Sequence, residues 1–147
     1  MIYKPQYFSI RELICPHAVE KFGEFAWSFL DDRAVMLLDI IRRKIDKPIT
    51  VNNYETGGEF SQRGFRCNQC QLVRDKTSAG IVYCSPHLRG IAFDFDVAGM
   101  RAEEVRQWLI AHKDLLPMPI RLEKDVNWVH LDIAPVFTLG KVTLINP

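Results

Sequence analysis

Missing from this 147-residue sequence is any apolar run of the roughly 18–20 residues that a bilayer span requires. Its first residues, MIYKPQYFSI, also lack the apolar stretch and small-residue cleavage site of a secretory signal. No membrane span is expected, and the chain is expected to be made and kept in the cytosol unless something else exports it. Charge of one sign is not in excess either: 19 Lys and Arg stand against 18 Asp and Glu, spread along the chain rather than gathered in a stripe. Nucleic acid is therefore not an expected partner. Repeats and low-complexity tracts are absent as well, leaving one globular domain over residues 1–147, expected to be monomeric, whose 48% hydrophobic content suffices for one core. Cysteine is scarce, and in a reducing compartment Cys15, Cys67, Cys70 and Cys84 are expected as thiols or metal ligands rather than disulfides.

What is present divides into two halves. Ser9 followed by Glu12 is a capping-box pattern, and Pro16 confines the helix it opens to a short piece. The stretch DDRAVMLLDIIRRKIDKP predicts the main helix, capped by Asp31 or Asp32, with Val35, Leu38, Ile41 and Ile45 at helical spacing. ITVNN reads as a short strand, and from Tyr54 to Tyr83 the chain turns polar and Gly-rich with little periodicity. A loop of that length in a small domain is functional, disordered or pinned. Strand (IAFDFDV), helix (MRAEEVRQWLIAHKDLL) and three strands (IRLE, WVHLDI, KVTLIN) follow. The expected class is α+β: a small antiparallel sheet with helices packed on one face.

Side chains alternate across a strand, so these strands can be sorted into faces. Ile91, Phe93, Phe95 and Val97 share one face of their strand, opposite Ala92, Asp94 and Asp96. Ile120 and Leu122 oppose Arg121 and Glu123; Val129, Leu131 and Ile133 oppose Trp128, His130 and Asp132. One face is apolar and the other gathers metal-ligand and proton-transfer types. An antiparallel sheet with one wet face is the plain alternative. Two imidazoles and one carboxylate suit a catalytic Zn²⁺, which takes three protein ligands and leaves a position for water. His87, Asp94 and His130 are the candidate ligands, the first two brought together by a turn at Gly90.

SPHLRGIAFDFDV resembles the S-x-H-x-x-G-x-A-x-D motif of the M15 zinc peptidases, the group of D-alanyl-D-alanine carboxypeptidases and phage endolysins related in fold to the Hedgehog signalling domain. NWVHLDI is similar to the W-x-H motif of that group. YFSIRELICP, KPITVNNYETGG and GMRAEEVRQWL extend the likeness to phage and prophage members over most of the chain. The resemblance implies a Hedgehog-like fold, Zn²⁺ on His87, Asp94 and His130, and a carboxylate shortly before the last histidine as general base. Glu123 matches best, because it shares the polar face with His130; Asp125 is the second choice. Members with the base three residues before that histidine would place it at Asn127, which cannot take a proton.

Other roles follow by chemistry or by match. Arg66 is a candidate for stabilising an oxyanion or clamping a substrate carboxylate, against a solvated loop Arg. Ser85 matches the family's Ser and either binds substrate or caps the turn; Pro86 stands where many members have Gln. Trp128 is a candidate substrate contact, and Asp132 a residue that orients a ligand from behind. The implied activity is hydrolysis of peptidoglycan stem peptides, at a terminal D-Ala or an internal bond, after lysis, export or virion delivery to the wall. A catalytically weak or inactive module of the same fold, binding cell-wall peptide or serving as a phage part, is the alternative.

CNQC sets Cys67 and Cys70 at C-x-x-C spacing in the long loop, and CPH offers Cys15 and His17. Together they are candidates for a second, structural zinc, with Cys84 as an alternative ligand and free thiols as the plain reading. Redox use of the pair is disfavoured, because the motif lacks a βαβ setting. His112 is assigned no function.

Overall fold

The computed structural model describes residues 2–147. Its helices are α1 (Ile10–Leu13), α2 (Pro16–Phe22), α3 (Asp32–Ile45), α4 (Gln71–Ser78) and α5 (Ala102–Ala111). The strands are β1 (Ile49–Thr50), β2 (Ala92–Val97), β3 (Ile120–Glu123), β4 (Val129–Asp132) and β5 (Val142–Ile145). Short 3₁₀ turns occupy Gly23–Phe29, Tyr54–Thr56, Pro86–Arg89 and Lys113–Leu115.

Local chemistry explains the helix ends. The Glu12 carboxylate accepts from the Ser9 backbone N–H at 2.8 Å, half of the expected capping box. Pro16 both stops α1 and opens α2, sitting at a first-turn position where its missing N–H costs nothing. Asp31 rather than Asp32 caps α3, accepting from Arg33 N at 2.9 Å, and Asp46 ends it in the left-handed conformation. The stretch from Tyr54 to Tyr83, expected to be irregular, contains α4. Only Val73 of that helix is buried, so it carries too short an apolar stripe to show as periodicity.

The five strands form one sheet in the order β1-β2-β4-β3-β5. Pairings β1–β2, β2–β4 and β3–β4 are antiparallel, but β5 lies parallel to β3, which corrects the expectation of a wholly antiparallel sheet. Both sides of β4 are already taken, by β2 and β3, so the chain leaving β4 joins the sheet at an edge, the outer side of β3. There its direction, opposite to β4, is parallel to β3.

The apolar faces read from alternation meet in one core. Phe93, Phe95, Ile120, Leu122, Val129 and Leu131 are fully buried, together with Leu37 and Leu38 of α3 and Val105 and Leu109 of α5. Burial of this kind contributes about 1.5–3 kcal/mol per large side chain and is the main force holding the sheet to the helices. The opposite face is not the wet face of the plain reading. Every residue of β4 is buried, and Asp94, His130 and Asp132 are 8%, 4% and 0% exposed. What covers that face is the chain around residues 62–66 and 83–90.

Candidate metal centre

Sheet register brings the first two ligand candidates together. Asp94 of β2 lies directly opposite His130 of β4, and Asp94 Oδ1 sits 2.7 Å from His130 Nδ1. His87 arrives from the 3₁₀ turn before β2, with its Nε2 3.2 Å from Asp94 Oδ2. Ser85 caps that turn, its hydroxyl accepting from His87 N at 3.3 Å, so of its two expected roles the structural one is filled. Gly90 closes the turn at φ +67°, and a Cβ there would stand 1.9 Å from the Phe29 carbonyl oxygen. The bend that folds His87 back over Asp94 therefore needs glycine. One ligand atom from each of His87, Asp94 and His130 lies within 4.8 Å of the others, a group that could hold a metal ion.

Each ligand is held from behind. His87 Nδ1 is 2.8 Å from the Gly64 carbonyl, which makes Nδ1 the protonated nitrogen and leaves Nε2 as the donor lone pair facing the centre. His130 Nε2 is 2.9 Å from Asp132 Oδ2, and Arg121 grips the same carboxylate through Nε at 2.8 Å and Nη2 at 2.9 Å. Asp132 also accepts from Ala134 N at 2.8 Å. Imidazole ligands backed by a carboxylate or carbonyl are the usual way a metal site fixes ring orientation and tautomer.

Arg66 is not a solvated loop residue: it is 7% exposed. Its Nη2 donates to Asp94 Oδ2 at 2.9 Å, its Nη1 to the Tyr83 hydroxyl at 2.7 Å, and its Nε to the Gln62 carbonyl. Its guanidinium thus braces a ligand carboxylate. Glu123 Oε1 comes within 4.0 Å of His130 Nδ1, because the register that sets Arg121 opposite Asp132 carries Glu123 alongside the histidine. Asp125 is exposed in the β3–β4 turn at φ +61°, and Asn127 is exposed too. Trp128 is half-buried one residue before β4, and its carbonyl accepts from Arg106 at 3.0 Å.

The electrostatics follow from burial and pairing. Burial disfavours the charged form of His87 and lowers its pKa. Burial also acts against the charge on His130, but hydrogen bonds to Asp132 and Asp94 outweigh it and raise the pKa to about 9. His130 thus lies between two carboxylates, and a metal held through Nδ1 would take the place of the proton shared there with Asp94. Asp94 is held well below the usual carboxylate range: burial opposes this, and its hydrogen bond with His130, then its contact with His87, prevail. Glu123 has no such partner, and burial pushes it up. Two carboxyls 36 and 7 residues before the same histidine thus have their pKa values driven in opposite directions.

A second group forms from Cys15, His17, Cys67 and Cys70, whose ligand atoms all lie within 4.8 Å of one another. His17 Nδ1 is 3.8 Å from both Cys67 Sγ and Cys70 Sγ. Cys70 hydrogen-bonds to Cys15 and lowers its pKa to about 5, while Cys70 itself is pushed up in return. Cys84 lies outside the group and is exposed. His112 stacks on Trp108 with centroids 4.3 Å apart, away from both groups' ligands.

Tyr83, Gln62 and the Gly64 carbonyl are the supports that sequence reading missed. They act through a hydroxyl and two backbone carbonyls in an aperiodic stretch, and the only signal there was that so long a loop is functional, disordered or pinned. Comparison with protein-family models, curated proteins and solved structures finds no match.

Proposed function

We propose that the chain is a zinc-dependent peptidase acting on bacterial peptidoglycan stem peptides. One observation carries this reading: His87 Nε2, the Asp94 carboxylate and His130 Nδ1 converge at a buried point, with Glu123 4.0 Å from His130 Nδ1 as a further carboxyl whose pKa is raised. The donor set fits zinc, since two imidazoles and a carboxylate leave one tetrahedral position open. His87, Asp94 and His130 would hold the ion there, and it would supply Lewis acidity towards a peptide carbonyl and towards water, whose pKa such an ion brings to about 7.

The chain's own groups account for the rest. Glu123 accepts a proton from the attacking water and returns it to the leaving amine nitrogen as the C–N bond breaks, a task for which a raised pKa is suited. Arg66 and Asp132 position Asp94 and His130. The choice of stem peptide as substrate rests on the resemblance of SPHLRGIAFDFDV and NWVHLDI to the zinc peptidases of cell-wall metabolism. A second reading, a zinc-holding module that binds the peptide without cutting it, draws on Asn127, on Pro86, and on an Arg66 whose three nitrogens are all engaged.

Zinc-loaded protein incubated with purified muropeptides and followed by mass spectrometry tests both. Cleavage that a chelator abolishes, and that Glu123→Gln reduces at least about 100-fold with zinc still bound, is the expected result. Intact muropeptides that nevertheless co-elute with the protein would favour the binding module. Cleavage undiminished in Glu123→Gln would remove Glu123 from the reaction.

A further inference from the structure

The cysteine cluster joins three stretches of chain at one point. Cys15 immediately precedes α2, His17 lies in that helix's first turn, Cys67 follows Arg66, and Cys70 immediately precedes α4. Cys15 and Cys70 are fully buried, Cys67 is half-buried and His17 is exposed. Buried cysteines that serve only as small apolar side chains have no need of an imidazole nitrogen among them. Here His17 Nδ1 is 3.8 Å from two sulfurs, close to the edge of about 3.5–3.8 Å that a tetrahedron with zinc–sulfur bonds of 2.3 Å requires. The Gln69 N–H points at Cys67 Sγ from 3.4 Å, so the turn between the two cysteines already donates to sulfur as a C-x-x-C knuckle does. A surface cleft lined by His17, Phe22, Phe29, Phe65, Cys67 and Asn68 reaches the cluster from solvent and gives an ion a way in.

The same four residues sit directly behind the supports of the His87–Asp94–His130 group. Residues 13–15 and 65 run as a parallel bridge, with Phe65 N donating to Leu13 O at 2.9 Å and Cys15 N to Phe65 O at 3.1 Å. Gly64 packs so closely on Leu13 that a Cβ would stand 1.9 Å from its carbonyl oxygen. From this one segment the Gly64 carbonyl holds His87, Arg66 Nη2 holds Asp94, and Arg66 N donates to the His87 carbonyl at 3.3 Å. At the far side of the knuckle, Leu72 N donates to Gln62 Oε1 at 2.9 Å, and the Gln62 carbonyl receives Arg66 Nε. Few apolar side chains order this stretch, so its position depends on what ties its ends.

We propose that Cys15, His17, Cys67 and Cys70 hold a structural zinc ion that fixes residues 62–67 against α2 and α4, and thereby sets the position of His87 and Asp94. The coordination is closed, with four protein ligands and no place for water, as in structural rather than catalytic zinc sites. The binding half stands independently of any peptidase activity. The positioning half concerns the same histidine and aspartate as the proposed active site but is read without substrate.

The test uses the full chain reconstituted with cobalt, which reports thiolate ligation by a sulfur-to-metal charge-transfer band in the near ultraviolet, together with native mass spectrometry to count ions. Two ions per chain and the charge-transfer band are expected for the unaltered protein and for Cys84→Ser. Cys67→Ser and His17→Ala, the two more accessible positions, are each expected to lose one ion, with the band lost in Cys67→Ser. His130→Ala is expected to lose the other ion and keep the band. Absence of the band in the unaltered protein, its persistence in Cys67→Ser, or a mass two hydrogens short under reducing purification, marking a Cys67–Cys70 disulfide, would overturn the site. Amide exchange then reads the positioning: Phe65 and Arg66 should exchange at least about 10-fold faster in Cys67→Ser than in Cys84→Ser, and equal rates would overturn that part.

Discussion

Asp132 has no exposed surface, yet three groups use its carboxylate: His130 Nε2, the Arg121 fork and the Ala134 N–H. Such an arrangement fixes the ring of His130 so that Nδ1 faces Asp94, and it raises the basicity of that nitrogen. Partners of this kind typically tune metal affinity by about 10–100-fold. Asp132→Asn keeps the shape but loses the charge, and zinc affinity measured by competition with a chelator is expected to fall by about that factor while near-ultraviolet circular dichroism is unchanged. Equal affinity would mean that the Arg121–Asp132 pair serves folding alone. The residues themselves were legible in the sequence wherever alternation applied: Asp94, His130, Asp132, Arg121 and Glu123 fall on one face because a strand has a period of two. Arg66 was visible as a residue but not in its role, since nothing in QRGFR tells a clamp for substrate from a brace for Asp94. Tyr83 and the Gly64 carbonyl carried no signal, because a single hydroxyl in an aperiodic stretch fits no period and a backbone oxygen leaves no mark in composition or spacing.

Elements were legible in proportion to the apolar surface they bury. α3 buries seven of its fourteen residues and its cap, spacing and end can all be read; α4 buries one of eight and cannot. β5 could be read as a strand but not placed, because which edge is free depends on β2 and β3 having already flanked β4. The connection that matters most for the site is the turn Pro86–Arg89 with Gly90. It ties β2 to α3 as well as to His87, since Asp31 N, at the α3 cap, donates to Gly90 O at 2.9 Å. Gly90→Ala faces two costs: about 1–2 kcal/mol for an L residue in the left-handed region, and the approach of its Cβ to Phe29 O. A loss of at least about 2 kcal/mol in urea unfolding, with an unchanged slope, is expected. A loss below about 0.5 kcal/mol would show that the chain at Phe29 yields readily and that the turn is not what fixes His87.

At the scale of the whole molecule, the charged groups divide into a buried set that would hold metal and a second set, some of it also buried, that ties the chain down. In the buried set every side-chain nitrogen and oxygen among the described residues has a hydrogen-bond partner. Gathering Asp94, Asp132, His87, His130 and Arg66 in one interior would be costly without such complete pairing, and apolar replacements would pack at lower cost. That expense is the physical sign of a site rather than of a core. The second set includes Asp39 on α3, itself buried, which accepts from the N–H groups of Gln6 and Tyr7 at 3.1 Å and from the Tyr3 hydroxyl at 2.8 Å, and so fastens the N-terminal segment across the main helix. Burial, then the hydrogen bond to Asp39, pushes the Tyr3 phenol from 10.0 up to about 12. A raised folded-state pKa means that the neutral phenol is the form the fold favours. Its contribution is complete below the unfolded pKa near 10 and is lost as pH rises towards 12. Tyr3→Phe lacks the hydroxyl and should be less stable by about 0.5–1.5 kcal/mol at neutral pH. In urea titrations the gap between the two proteins should stay constant below pH 10 and close progressively between pH 10 and 12. A gap that widened over that interval would reverse the sign of the linkage, and a gap that did not change would show that the hydroxyl leaves Asp39 before it ionises.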